Sequence, residues 1–209
     1  MPRKTRDPER TQTEILDKAT FLLAKLGYAG CSTDAITRAA RVNKRMLYHY
    51  FGNKQGLYRA VLVRQWSELR KWFERIPMSN LDGSSDKSHI LFRILRTYSE
   101  FIAANPDFVR LLMWEGLQGG KTSKSLWKEV RGPLFEDIRA LLEATKREGR
   151  FARELDTGHL VISLMGAINF YFAYSSTLGD LLDGQDPLAP AALKRREQQI
   201  VALFERVLS

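Results

Sequence analysis

The sequence predicts an all-α fold, with a compact basic N-terminal module joined by a long helix to a larger C-terminal helical bundle, about nine helices in all. Three observations predict it. Apolar residues recur three and four positions apart along most of the chain, while runs of strand-forming residues are scarce. Asp7, Ser32, Asn43 and Asn53 each stand directly before such a run, where a short polar side chain can accept from a free backbone N–H. A polar, turn-rich stretch at residues 77–88, PMSNLDGSSDKS, then separates the first helices from the rest.

The first helix starts at Asp7-Pro8, with Asp as cap and Pro in the first turn. Ile15, Ala19, Leu22 and Leu26 form its stripe, flanked by Leu16 and Leu23, and Gly27 ends it. Ser32 opens a short second helix holding Ile36 and Ala40, and Asn43 a third that runs to Phe51. Asn53 opens a long fourth helix with Leu57, Val61, Leu69, Trp72 and Ile76 in its stripe. Beyond the linker the periodicity gives helices at 89–104, stopped by Asn105-Pro106, and at 107–117, stopped near Gly119-Gly120. Three more follow at 124–148, stopped by Gly149, at 156–182 and at 190–208. The organisation is a module over residues 1–52, a connecting helix over 53–76 and a helical body over 77–209.

Composition narrows the class. Of 209 residues, 44% are hydrophobic and 27% charged, the balance of a globular protein with a sizeable core. The single cysteine, Cys31, can form neither an intrachain disulfide nor a metal cluster by itself, which fits a reducing, cytoplasmic setting. The N-terminus carries charges with no apolar stretch behind them, unlike a signal peptide. The formal charge of +9 is unevenly placed: residues 1–60 hold 12 Lys/Arg against 5 Asp/Glu, the remainder 21 against 19. A positive field confined to one end suits a polyanion such as DNA, because each cation near a phosphate releases a condensed counterion. Residues 157–179 contain no Asp, Glu, Lys or Arg, and 23 residues could span a bilayer. Yet His159, Asn169, three serines, two threonines and three glycines make this stretch too polar for a span. It reads as a helix buried in a core and an oligomer interface, with no membrane partner.

The segment with the most specific chemistry is Cys31–Leu57, CSTDAITRAARVNKRMLYHYFGNKQGL. Two short helices joined by a tight turn, the second basic and aromatic, match a DNA-binding helix-turn-helix. Ile36, Ala40, Val42 and Leu47 would form the small core, and Ala39-Ala40 would keep the crossing close. Lys44, Arg45, Tyr48 and His49 would then lie on the outer, N-terminal face of the third helix, which reaches the major groove.

From Glu14 to Leu62 the sequence resembles the tetracycline-repressor (TetR) family of bacterial regulators. The resemblance rests on Gly27-Tyr28 at the end of the first helix and the cap region Cys31-Ser32-Thr33. It continues through Ile36-Thr37-Arg38-Ala39-Ala40-Arg41-Val42-Asn43 and the run Leu47-Tyr48-His49-Tyr50-Phe51-Gly52-Asn53-Lys54-Gln55-Gly56-Leu57. Two departures stand out. Arg41 occupies a position the family usually gives to a turn glycine, at a cost of about 1 kcal/mol if φ is positive there. Arg45 and Met46 stand where small residues are common, so base preference does not transfer from a relative.

Chemistry assigns roles to these positions. Lys44 and Arg45 can donate to guanine O6 and N7 or neutralise phosphates. Tyr48 can meet a thymine methyl or a phosphate, and Tyr50 a phosphate, with Phe51 in the core. Ser32 and Thr33 at one helix N-terminus, and Lys54 at the next, would fix backbone phosphates. Met46, His49 and Arg38 complete the DNA-facing set. Arg3, Lys4, Arg6 and Arg10 form either an arm touching DNA or a frayed terminus.

The resemblance implies that the C-terminal helices bind a small effector and pair two subunits, and that repression is the default action. Leu193, Ile200, Phe204 and Val207 on one face of the last helix are the expected homodimer interface, with the 157–182 helix. Phe101, Trp114, Trp127, Met165, Asn169, Phe170 and Tyr174 are the candidate lining for an apolar or aromatic effector. Two-fold symmetry implies an inverted-repeat operator in double-stranded DNA. Two rival readings are an enzyme and a non-specific nucleic-acid-binding protein. His49, His89 and His159 lack metal-ligand spacing, and no phosphate loop or nucleophile elbow is present, so no metal, cofactor or catalysis is expected.

Overall fold

The computed structural model describes residues 7–75, 88–147 and 154–208. The linker at 77–87, Arg3, Lys4 and Arg6 of the basic arm, Ile76 and Gly149 lie outside the described residues. The helices in order are α1 Pro8–Gly30, α2 Thr33–Ala39, α3 Lys44–Phe51, α4 Lys54–Glu74 and α5 Ser88–Ala104. Then come α6 Pro106–Leu117, α7 Lys121–Ser125, α8 Gly132–Arg147, α9 Thr157–Ala173 and α10 Pro190–Leu208. No strand occurs among the described residues.

The helix starts follow the capping logic. Asp7 Oδ1 accepts from Glu9 N at 3.1 Å, Ser32 Oγ from Ala35 N at 3.1 Å, and Asn43 Oδ1 from Met46 N at 2.8 Å. Asn53 Oδ1 accepts from Gly56 N at 2.8 Å, and Asp156 Oδ1 from His159 N at 2.8 Å. Each such bond satisfies a donor the helix itself leaves free, for about 1 kcal/mol. Hydrogen bonds from the backbone N–H groups of His159, first, and Gly158 also hold the Asp156 carboxyl below its ordinary pKa.

Two of the expected helices are broken. Where one helix is expected over 124–148, the described residues form the end of α7, a π-helical turn over Trp127–Arg131 and then α8, to Arg147. Pro133 has no N–H to donate and crowds the carbonyl four residues back, so a regular helix cannot run through it; α8 restarts at Gly132-Pro133. Residues 156–182 form α9 followed by 3₁₀ turns at Ser175–Thr177 and Gly179–Leu182. There Ser175 Oγ donates to Phe172 O at 3.1 Å and Thr177 Oγ1 to Tyr174 O at 2.9 Å, competing with the ladder.

The chain divides into two compact units. One holds residues up to Trp66 together with Arg110–Leu126, and the other Ser67–Val109 and the chain from Trp127 onward. In the first, Ile15, Leu23, Cys31, Ile36, Leu47, Leu57, Val61 and Leu62 are fully or almost fully buried in one core, joined by Leu111 and Leu126. Residues 110–126, which the sequence places in the C-terminal body, thus belong to the N-terminal unit. In the second unit α10 and α9 pack on α5, and α8 packs on α9. Phe101 is buried between Trp72 and Phe108 in edge-on contacts with centroids at 5.8 and 5.1 Å. No described helix is long and apolar enough to cross a membrane.

Candidate nucleic-acid interface

The turn between α2 and α3 is set by backbone geometry. Ala40 caps α2, Arg41 takes φ 54°, and the chain leaves through Val42. Arg41 N donates to Arg38 O at 3.2 Å and Val42 N to Thr37 O at 3.0 Å, the paired bonds of a Schellman ending. The left-handed residue is the arginine, at the position where the resemblance puts a turn glycine. Ile36 and Leu47 are fully buried, Ala40 nearly so, and Val42 packs against them. Of the Ala39-Ala40 pair only Ala40 faces the core; Ala39 is exposed.

That core decides what α3 shows to solvent. With Leu47 turned inward, a rotation of about 100° per residue turns Arg45, Tyr48 and His49 away from the core, Lys44 stands at the open first position of the helix, and all four are exposed. Tyr50 and Phe51 are half-buried against the core. Met46 is half-buried at the edge, and the His49 ring meets Tyr50 edge-on at 5.3 Å. Lys44 Nζ bonds Asp34 Oδ1 of α2 at 2.8 Å, and this partner holds its ammonium above the ordinary pKa. Lys44 must exchange that exposed carboxylate for any other anion.

Ser32 is exposed with its hydroxyl committed to capping α2, Thr33 is half-buried in the first turn, and Arg38 is exposed. Lys54 opens α4 half-buried, its Nζ 4.5 Å from the centre of the Tyr28 ring, which itself meets Tyr58 at 5.0 Å. Arg10, the described member of the basic arm, lies on α1 and pairs with Glu14 at 3.2 Å.

Behind this surface the N-terminal unit holds one residue the sequence placed elsewhere. Trp114, expected in an effector cavity, donates its indole N–H to Ala24 O at 3.2 Å and covers Gly27. Gly27 has φ 70°, and a methyl group there would lie 2.8 Å from the indole. Nothing in the sequence near either residue signals a contact across 90 positions. Next to it, the buried Glu115 carboxylate accepts from Ser123 N at 2.7 Å. Burial first, and then Glu115, raises the pKa of the Tyr58 phenol.

The other expected effector residues differ in their surroundings. Phe101 is core, Met165 is half-buried, and Asn169 accepts from Tyr98 OH at 2.8 Å in the interior. Phe170 and Tyr174 are more than half exposed and stack on each other at 4.7 Å. The Trp127 side chain lies outside the described ones. Two cavities open in the C-terminal unit, one of about 140 Å³ beside Phe73 and Ile94 and one of about 310 Å³ between α5, α9 and α10. None of the six candidates with described side chains lines either of these two. Of the expected dimer residues, Ile200 and Phe204 are buried in their own chain and Leu193 is half-buried. The helix turns this stripe toward α5 because α5 offers the apolar surface it needs; the Val207 side chain lies outside the described ones. Among the described residues no group of three His, Cys, Asp or Glu could hold a metal ion.

A short basic helix, held outward by a buried leucine and a left-handed turn, defines the helix-turn-helix class of DNA-binding proteins. Residues 15–61 match the family model of bacterial regulatory proteins, tetR family, and residues 89–203 match the tetracyclin repressor-like C-terminal domain. This chain belongs to the tetR family. It is 36% identical over 115 residues to the HTH-type transcriptional repressor SCO4008 of Streptomyces coelicolor, covering 55% of this chain and 54% of that one. The chain therefore spans about half the length of that relative. It is 24% identical over 182 residues to the HTH-type transcriptional repressor NicS of Pseudomonas putida, covering 86% of this chain and 84% of that protein. The TetR family regulator PfmR of Thermus thermophilus superposes with a TM-score of 0.70 at 21% identity, covering 93% and 98% of the two chains, which shows the shared fold.

Proposed function

We propose that this protein is a sequence-specific transcriptional repressor of the cytoplasm, binding an inverted-repeat operator as a homodimer and released by a small molecule. The observation that carries the reading is the exposed row Lys44, Arg45, Tyr48 and His49 on α3, four groups able to reach base edges and phosphates from one helix face. SCO4008 and NicS, both named repressors, support the sign of the action. The homodimer reading draws on α9 and α10, whose outer surfaces leave Ile162 67%, Phe170 55% and Leu203 57% exposed. Large apolar side chains in such number suit a partner subunit.

Operator affinity tests the reading. Lys44→Ala and Arg45→Ala weaken operator binding by about 1–3 kcal/mol where the lost contact is to a base. Lys54→Ala weakens all DNA alike and lowers the salt slope by about one. Three variants that bind the operator like the parent would place the recognition surface elsewhere.

A further inference from the structure

The last helix carries an arginine in an unusual setting. On α10, Leu193, Ile200 and Phe204 face inward, and Arg196, one turn before Ile200, turns inward with them, half-buried beside α9. Its Nη2 donates to Ala167 O at 2.9 Å, and the guanidinium stands 5.2 Å from the centre of the Tyr171 ring. Its Nε is buried and has no hydrogen-bond partner. Among the described residues no carboxylate lies within ion-pair distance of it. Burial lowers its pKa, but a guanidinium starts too high to lose its proton. The protein therefore holds a charge against a neutral oxygen and a ring face, with one donor unused, and such a charge is costly without an anion.

Arg196 also lines the cavity of about 310 Å³ between α5, α9 and α10. Ile168, Tyr171, Phe172 and Ile200 supply an apolar wall. Arg96, which is not among the lining residues, bonds both Glu100, at 3.4 Å, and Glu197, at 2.9 Å, so both lining carboxylates already have a cation. The lining itself holds two cations, Lys194 and Arg196, and two anions, and both anions are bound by Arg96. A volume near the lower end of small-molecule sites excludes large or polyanionic ligands.

We propose that this cavity binds a small organic monoanion, an aryl or short alkyl carboxylate, whose charged end is received by Arg196 and whose body lies along the apolar wall. The carboxylate gives the guanidinium the anionic partner it lacks, and a charge-assisted bond in a site with an apolar wall is stronger than one in open water. This goes beyond the apolar effector expected from the aromatics, and its regulatory meaning rests on the reading that an effector releases the operator.

The test uses the full-length protein and calorimetric titration with 4-phenylbutyrate, its neutral isostere 4-phenylbutanol, its cationic isostere 4-phenylbutylamine, and inorganic phosphate. The expected result is carboxylate binding at least about ten-fold tighter than either isostere, with phosphate not binding. Arg196→Met removes the preference for the carboxylate, while Arg195→Met, at the exposed neighbour, keeps it. Ala103→Phe fills the cavity from α5 and abolishes binding with the guanidinium intact, which decides the matter if Arg196→Met does not fold. Equal binding of acid and alcohol, phosphate binding as well as the acid, no binding of any probe, or an unchanged preference in Arg196→Met would each overturn the site. Operator binding is measured in parallel. A carboxylate that binds through Arg196 yet leaves operator affinity unchanged upholds the site and removes its role as effector site. A protein that binds the carboxylate but no operator upholds the site and refutes the repressor reading.

Discussion

The outer faces of α3 and α9 are built from opposite materials. On α3 the exposed side is Lys44, Arg45, Tyr48 and His49 over a single fully buried leucine; on α9 it is His159, Ile162, Ser163, Gly166 and Phe170. A charged or aromatic-polar face stays soluble alone and trades water and counterions for a polyanion. An apolar face in water is a standing cost that another protein surface removes. The chemistry of what is left uncovered thus names the kind of partner each region serves.

The comparison is broken most sharply by methyl groups. Gly27→Ala puts a side chain at positive φ against the Trp114 indole, and strain plus overpacking should cost about 2–4 kcal/mol in denaturant unfolding. Gly166→Ala on α9 meets nothing within 4 Å and should be neutral or stabilising by up to about 1 kcal/mol. Similar losses at both sites would mean that α9 is as tightly enclosed as α1.

Charges placed on α9 come next. Ile162→Asp and Phe170→Asp should shift the proposed dimer toward monomer, each by about 1–3 kcal/mol, as light scattering across a dilution series would read. Ile200→Asp would instead unfold the chain, because Ile200 is buried within it. A dimer unchanged in both surface variants would move the interface.

Tyr58 gives a pH test of the N-terminal unit. Its phenol has a raised pKa in the fold, so the neutral form is favoured, and this stability is complete below the unfolded value near 10. As pH rises past that value the unfolded state loses a proton that the native state keeps, and about 1.4 kcal/mol is lost per pH unit. Tyr58→Phe should flatten the alkaline fall in melting temperature; an equal fall in the variant would acquit this group.

The smallest effect is at Arg41. Glycine removes the left-handed strain but loosens the unfolded chain, so Arg41→Gly should stabilise by about 0.5–1 kcal/mol. A loss of stability would show that the arginine side chain contributes more than its backbone costs.

Legibility in the sequence divides along the same line. The caps at Asp7, Ser32, Asn43 and Asn53 and the outward set on α3 were readable because each depends on neighbours within a few residues. Trp114 on Gly27 was not, since two distant helices must meet before either residue has meaning. Nor was the inward turn of Arg196. In a helix rich in both apolar and basic residues, the partner helix decides which face is buried, and an arginine on the boundary can go either way. The exposure of Phe170 and Tyr174 has the same origin: aromatic composition says that a surface is sticky and leaves open what covers it.

The central claim is that α3 reads sequence from one half of a symmetric site. The most direct measurement is a footprint on promoter DNA beside the gene, taken with a large excess of random DNA. The account predicts a protected inverted repeat with half-site centres about 34–36 Å apart, or a multiple of that, retained against the competitor and lost in the Lys44→Ala/Arg45→Ala double variant. Protection that random DNA erases at equal mass, or that survives in the double variant, would contradict it.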